Sequence, residues 1–180
     1  MITGVNAEAP GWLVELLRRH TVFDEMLMSA WLDKDPPERA VIFGKDAHLG
    51  GPAGWLSMVL ADGDYSLRLS GPDRPRLHEE LNEDEFDAAD DEDTRPLFVS
   101  VAGTVMSTYF PVRCRSVTLF LSAESELENG VARAVLFDLS TGPLFIDPFH
   151  LDGIRLAGAA EADALRTGDP GITVLEIPVG

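Results

Sequence analysis

The sequence is poor in cysteine, in basic side chains and in long apolar stretches. It has one cysteine among 180 residues, which excludes a disulfide scaffold and a four-thiolate zinc site. Lys and Arg number 14 against 31 Asp and Glu, a formal net charge of -17, so nucleic acid is not an expected partner. No stretch approaches the roughly 18 apolar residues of a membrane span, and no basic segment leads into an apolar one near the start. We therefore expect a cytoplasmic protein with no membrane partner.

The short motifs of common enzyme classes are also missing. Gly44-Lys45-Asp46 lacks the Ser or Thr and the upstream Gly of a phosphate-binding P-loop, and no serine stands in a Gly-x-Ser-x-Gly pattern. Cys114 lies between two arginines, whose charge would favour a thiolate, but on a strand their side chains point to the opposite face. We predict an inert, partly buried cysteine, and we assign no catalytic residue.

Acidic side chains are concentrated in one part of the chain, which we call the acidic segment. Residues 79–93 read EELNEDEFDAADDED and hold ten of the 31 acidic residues with no Lys or Arg. The ten are Glu79, Glu80, Glu83, Asp84, Glu85, Asp87, Asp90, Asp91, Glu92 and Asp93. Little apolar burial is available here to offset the entropy of ordering, so we predict a mobile, solvated loop that contacts a basic partner surface.

The remaining sequence supports a folded core, since hydrophobic residues make up 45% of the chain. The apolar positions of residues 11–33 fall at helical spacing, which predicts one kinked helix or two short ones. Alternating patterns predict strands further on, among them residues 65–69 and 117–122. Strands and helices do not alternate regularly. We predict an α+β fold, a mainly antiparallel sheet with the N-terminal helix or helix pair packed on one face.

The length suits one hydrophobic core, so we predict a single domain over residues 1–180. In this prediction an acidic mobile loop at about 79–94 separates two parts of the domain. The first is a helix-plus-hairpin part, residues 1–78, and the second is a strand-rich part, residues 95–180.

Two shorter stretches carry predictions of their own. Residues 44–54, GKDAHLGGPAG, contain four glycines and a proline and are predicted to be a loop. Residues 173–179 alternate in polarity and contain Pro178, which predicts a strand at a sheet edge. An edge strand of this kind could pair with a second copy of the chain in a homodimer.

Histidines with nearby acids form a second candidate site. Asp46-x-His48 and His150-x-Asp152 place an acid and an imidazole on one side of an extended chain, where they could hold one metal ion. Zinc or iron needs at least three converging ligands, which a sequence does not show, so we assign no metal and no cofactor. The alternative polar site consists of His48, Asp147, His150 and Asp152.

Concentrated charge, together with the missing catalytic motifs, favours a role in binding another protein. We expect a small acidic cytoplasmic protein, leaning non-enzymatic, that binds a partner with a basic surface in an immunity-like, antitoxin-like or regulatory role. The alternative is a small-molecule-binding or metal-dependent enzymatic α+β domain. Its site would lie between the sheet and the helices, with residues 44–54 as a lid.

Overall fold

Strands dominate the structure, a computed structural model that describes residues 8–33, 39–61, 65–75, 94–106, 111–149 and 153–180. The described residues form two antiparallel sheets of six strands each. Three short helices accompany them: Gly11–Arg19 (α1), Ala102–Val105 (α2) and Ala159–Gly168 (α3). Within the described ranges, none of the helices is long and apolar enough to cross a membrane.

Each sheet draws its strands from distant parts of the chain. Sheet I consists of Val22–Phe23 (β1), Val112–Leu121 (β7), Ala134–Leu139 (β9), Gly142–Phe149 (β10), Gly153–Ala157 (β11) and Thr173–Pro178 (β12). Its strand order is β1-β7-β9-β10-β11, and β12 also pairs with β7. Sheet II consists of Thr94–Ser100 (β6), Glu25–Asp33 (β2), Arg39–Gly51 (β3), Gly54–Leu60 (β4), Leu67–Ser70 (β5) and Val131–Ala132 (β8), in the order β6-β2-β3-β4-β5-β8.

The predicted α+β fold with an N-terminal helix or helix pair on one face of a sheet is wrong, because most of that region is strand. Helix α1 ends at Arg19, and residues 22–33 form β1 and β2. Met26, Met28 and Ala30 are buried and alternate with half-buried side chains. Met26, Leu27, Ala30 and Trp31 fit a helical period, whereas Met26, Met28 and Ala30 fit a strand period. Pairing of β2 with β3 and β6 decides for the strand.

The predicted loop over residues 44–54 is also wrong, since β3 continues through Gly51. Gly44 has a φ of 65°, which favours glycine, and it lies where the pairing of β2 with β3 shifts register. Beyond this irregularity Ala47 and Leu49 point into the core. The turn to β4 is confined to the two residues between Gly51 and Gly54, so this stretch is not a lid.

The main core lies between the two sheets. Buried residues from both sheets belong to one apolar cluster, which Leu13 and Leu17 of α1 complete. The opposite face of sheet I carries a second, smaller cluster built on Phe120 and Phe145, and Ala162 of α3 packs there. The layers are therefore α3, sheet I and sheet II, with α1 contributing to the core between the sheets.

The described elements after the acidic segment contain two confirmed local predictions. The high alanine content of residues 159–166 predicts a weak helix, and these residues belong to α3, which ends at Gly168 before an Asp-Pro pair. The strand predicted over 173–179 is β12, which pairs along one side with β7 and forms an edge of sheet I in the described part of the chain. Pairing of this edge with a second copy stays a prediction.

Candidate functional site

A row of polar side chains lies on the face of sheet II that points away from the core. Ala47 and Leu49 of β3 belong to the core, so Asp46 and His48, at the alternate positions, are on the opposite face. Ser57 of β4 pairs directly with His48 across the two strands. Although they face outward, all three polar residues are less than a tenth exposed.

One hydrogen bond and one ion-pair contact connect the row. His48 Nδ1 lies 2.8 Å from Ser57 Oγ, and His48 Nε2 lies 3.3 Å from Asp46 Oδ2. The first contact is a hydrogen bond. The second is close enough for an ion pair but falls short of hydrogen-bond geometry, so His48 Nε2 is a buried nitrogen without a hydrogen-bond partner among the described residues.

Two aromatic rings border the row and help to shield it from water. The Phe98 ring of β6 meets the His48 ring edge to face, with centroids 5.3 Å apart. On the other side, the Trp55 ring lies over Gly50, where an added Cβ would come within 2.7 Å of the ring. Gly50 is thus the residue that leaves room for the Trp55 indole against β3.

The backbone irregularity in β3 supplies a hydrogen bond to Asp46. Ser29 lies at the register shift between β2 and β3, and its N–H donates to Asp46 Oδ1 at 3.0 Å. Burial on its own raises the pKa of Asp46, but the neighbouring His48 imidazole and the Ser29 amide outweigh it. The pKa of Asp46 is therefore lowered, and its carboxylate is ionised at neutral pH.

The order Ser57, His48, Asp46 resembles a nucleophilic relay, but the alignment argues against that use. A relay needs the acid to accept the second ring N–H so that the imidazole can take the serine proton. Here the ring nitrogen nearest Asp46 makes no hydrogen bond to it. The arrangement instead offers an unshared imidazole nitrogen beside an ionised carboxylate, both fixed by neighbouring groups.

Asp147 belongs to a different cluster, on sheet I. Its Oδ1 accepts a hydrogen bond from Arg133 at 2.6 Å and its Oδ2 accepts one from Arg155 at 2.7 Å. The Asp147 side chain is only 4% exposed, so this is a buried carboxylate held by two guanidinium groups. With both oxygens engaged, Asp147 acts as a structural anchor between β10 and β11.

The structure places the sequence-predicted residues in separate regions. The ten acidic residues of the acidic segment, together with His150 and Asp152, lie outside the described residues. His48 is in sheet II and Asp147 is in sheet I, and among the described residues no hydrogen bond or ion pair joins them. The predicted grouping of all four alternative-site residues is therefore not tested.

Sequence reasoning placed Asp46 and His48 on one side of the chain but missed Ser57 and Ser29. The position of Ser57 could have been predicted from the sequence. Once residues 44–51 are taken as a strand, a two-residue turn pairing Gly51 with Gly54 places His48 opposite Ser57. Ser29 could not be found in this way, because its position depends on the register shift between β2 and β3.

Cys114 is buried on the core side of β7, while its neighbours Arg113 and Arg115 are exposed on the other side. Burial raises the pKa of its thiol to about 12, and the nearby charge of Asp138 adds to this effect. On the order of one thiol in 10⁴ is then ionised at about pH 8. We expect an aromatic disulfide reagent to modify the folded protein at least a hundredfold more slowly than the urea-unfolded chain. Equal rates would contradict this burial.

Comparison with models of protein families, with curated proteins and with solved structures gave no match.

Proposed function

We propose that this chain is a cytoplasmic protein-binding domain whose acidic segment contacts a basic surface of its partner. Charge concentration carries the proposal: the segment holds ten acids in fifteen residues, whereas the other 165 residues hold 21 acids and 14 bases. An immunity- or antitoxin-like protein that neutralises a basic toxin or nuclease is the most concrete form of this role.

The described strands on either side of the acidic segment define where it is attached. Before it comes β5 and after it comes β6, both in sheet II, and β4, β3 and β2 lie between them. The register places Ser70, the last residue of β5, level with Ser100, the last residue of β6, so β5 ends and β6 begins at opposite ends of the strands. The charge is therefore tethered at both ends to one sheet, which restricts where a partner can meet it.

Electrostatics gives the segment a specific effect on binding. A concentrated negative field steers a basic partner toward one side of the protein and raises the association rate by roughly 10 to 10³-fold at low salt. Screening shortens the reach of this field from about 10 Å at 0.1 M salt to about 3 Å at 1 M. Partner binding through the segment should therefore weaken strongly as salt is added.

Two variants with the same change in net charge test the proposal. The segment variant carries Glu83→Gln, Asp84→Asn, Glu85→Gln and Asp87→Asn. The body variant carries Glu8→Gln, Glu124→Gln, Glu128→Gln and Glu176→Gln, all at exposed positions. Each protein is used as bait in extracts of the native host, and recovered proteins are identified and quantified by mass spectrometry at low and high salt.

We expect the segment variant to recover a specific basic protein at least tenfold less efficiently at low salt, and the body variant to resemble wild type. Association kinetics with that purified protein should show a reduced on-rate for the segment variant alone. If both variants recover the same proteins as wild type at either salt concentration, the acidic segment is not the contact. Equal losses in the two variants would show that net charge matters and its location does not.

A further inference from the structure

Strand β12 lies at an edge of sheet I, and its pairing shows which of its backbone groups point outward. The Phe120 carbonyl of β7 accepts a hydrogen bond from Arg133 N–H, so the backbone groups of Phe120 point away from β12. Val174 is paired with Phe120, and the two do not bond to each other. Val174 and, two residues further on, Glu176 therefore direct their N–H and C=O groups toward the free edge.

Both ends of this free edge are already occupied. Pro178 has no N–H, and its carbonyl accepts a hydrogen bond from Arg18 Nε of α1 at 3.4 Å. At the other end, Ile172 N–H donates to a backbone carbonyl of the turn after α3 at 3.1 Å. Between these ends, the outward groups of Val174 and Glu176 are exposed and make no hydrogen bond within the described part of the chain.

One two-fold register of β12 against a second β12 uses all of these free groups. With the axis at Leu175, Val174 of each copy lies opposite Glu176 of the other, and each of these pairs exchanges both N–H···O bonds. An axis at Glu176 would put two like charges directly opposite each other and would pair Val174 with Pro178, which has no N–H. An axis at Val174 would pair Glu176 with Ile172, whose N–H is already bonded.

Side chains also match in the register centred on Leu175. Leu175 is half-buried and packs against the main core, and the axis places it directly opposite Leu175 of the second copy. On the other face, Val174 is 40% exposed and would lie against the methylene groups of Glu176 from the second copy. The contact therefore removes apolar surface from water on both faces of the sheet.

We propose that β12 pairs with β12 of a second copy, antiparallel about a two-fold axis at Leu175, so that sheet I continues from one copy into the other. A second copy fits this edge better than an extended peptide of another protein. A ladder of two residues does not offset the entropy of ordering a peptide, whereas β12 is already ordered in its sheet. The homodimer is independent of the proposed partner-binding role, since it uses no residue of the acidic segment.

Sedimentation equilibrium of the wild-type protein tests the proposal without any substitution. Each chain has a formal net charge of -17, so two copies repel each other, and added sodium chloride screens this repulsion. We expect a dimer whose dissociation constant falls severalfold between about 0.1 M and about 1 M salt. This salt effect is opposite to the one expected for partner binding through the acidic segment. Monomer alone at protein concentrations up to about 1 mM would overturn the proposal.

A backbone substitution at the free edge tests the hydrogen bonds directly. Val174→Pro removes an outward N–H from each copy and no hydrogen bond to β7, so it should raise the dissociation constant of the dimer at least tenfold. Val174→Thr is the matched control, because it keeps the N–H and the side-chain shape, and it should dimerise like wild type. The segment variant defined above should dimerise at least as tightly as wild type, since it has less negative charge. An unchanged dimer in Val174→Pro, or a dimer lost in the segment variant, would contradict the proposal.

Cysteine cross-linking tests the register and does not depend on the folding of the proline variant. Leu175→Cys places two thiols directly opposite each other across the axis, where a Cα separation of about 4.5 Å suits a disulfide. Thr173→Cys is the matched control, because each residue 173 lies opposite Ile177 and the two thiols are roughly 14 Å apart along the strand.

We expect mild oxidation to give a covalent dimer with Leu175→Cys and none with Thr173→Cys. Cys114 is buried, so wild type should give no covalent dimer under the same conditions. Equal cross-linking of the two variants, or none with Leu175→Cys, would overturn the proposed pairing.

Discussion

Phe137→Ala is expected to lower the free energy of unfolding by about 3–5 kcal/mol, a large fraction of the stability of a domain of this size. Phe137 of β9 is fully buried between Val117 of β7 and Leu144 of β10, its paired neighbours. Its ring meets Phe23 edge to face, with centroids 6.1 Å apart. Replacing the ring with a methyl group removes the free energy gained by burying the ring and removes its contact with Phe23. It also leaves a cavity whose walls lose packing contacts.

Equilibrium unfolding in urea, followed by the fluorescence of the three tryptophans, measures this loss. Val174→Ala provides a surface control on β12, where Val174 is 40% exposed, and it should change stability by less than about 0.5 kcal/mol. Phe137→Leu keeps much of the volume and should cost clearly less than alanine. A loss below about 1 kcal/mol for Phe137→Ala would mean that the two sheets do not pack over this residue.

The sequence allowed prediction of elements whose signals are local. Helix α3 combines alanine-rich sequence with a Gly-Asp-Pro ending, and β12 has Thr173, Leu175 and Ile177 at alternate positions, so each signal is contained in the element itself. Strand β2 shows the opposite case. Its residues EMLMSAWLD have high helix propensity, and its apolar residues can be grouped at helical or at alternate spacing. Pairing with β3 and β6, the latter more than sixty residues away, outweighs that propensity.

The candidate site likewise has one part that local sequence predicts and one part that depends on distant strands. The Asp46-x-His48 spacing was enough to place the two side chains on one face, since any strand alternates. Nothing within that tripeptide predicts the register shift at Ser29 or the indole packed over Gly50. These features come from the pairing of three strands, and they decide which groups surround Asp46 and His48.

Asp147→Asn is expected to lower the free energy of unfolding by about 2–4 kcal/mol. Removing one partner of a buried ion pair usually costs about 3–5 kcal/mol, because the remaining charge is left uncompensated. Arg133 would be left with an uncompensated, mostly buried charge, since its side chain is only 20% exposed. Arg155 is 44% exposed, so water screens its charge and reduces the loss. Urea unfolding of wild type and of Asp147→Asn at neutral pH measures the difference in their free energies of unfolding.

Asp138→Asn is the matched control for this substitution. Asp138 pairs with Arg115 at 2.6 Å, as short a contact as the one between Asp147 and Arg133. The side chains of that pair are 43% and 64% exposed, so its loss should cost less than about 1 kcal/mol. Equal effects of the two substitutions would show that the cluster around Asp147 is no more shielded from water than the surface pair.

Most of the stability lost in Asp147→Asn should come from the buried Arg133 charge that is left without a partner. The net stabilisation by the ion pair itself should be smaller. Buried ion pairs replaced by apolar groups of similar volume often cost little, because desolvation offsets most of the attraction. The double substitution Asp147→Leu with Arg133→Met removes both charges, so we expect it to be less destabilising than Asp147→Leu alone. A double variant as unstable as the sum of its two single substitutions would instead show that Asp147 and Arg133 are not coupled, and that an orphaned Arg133 guanidinium does not cause the loss.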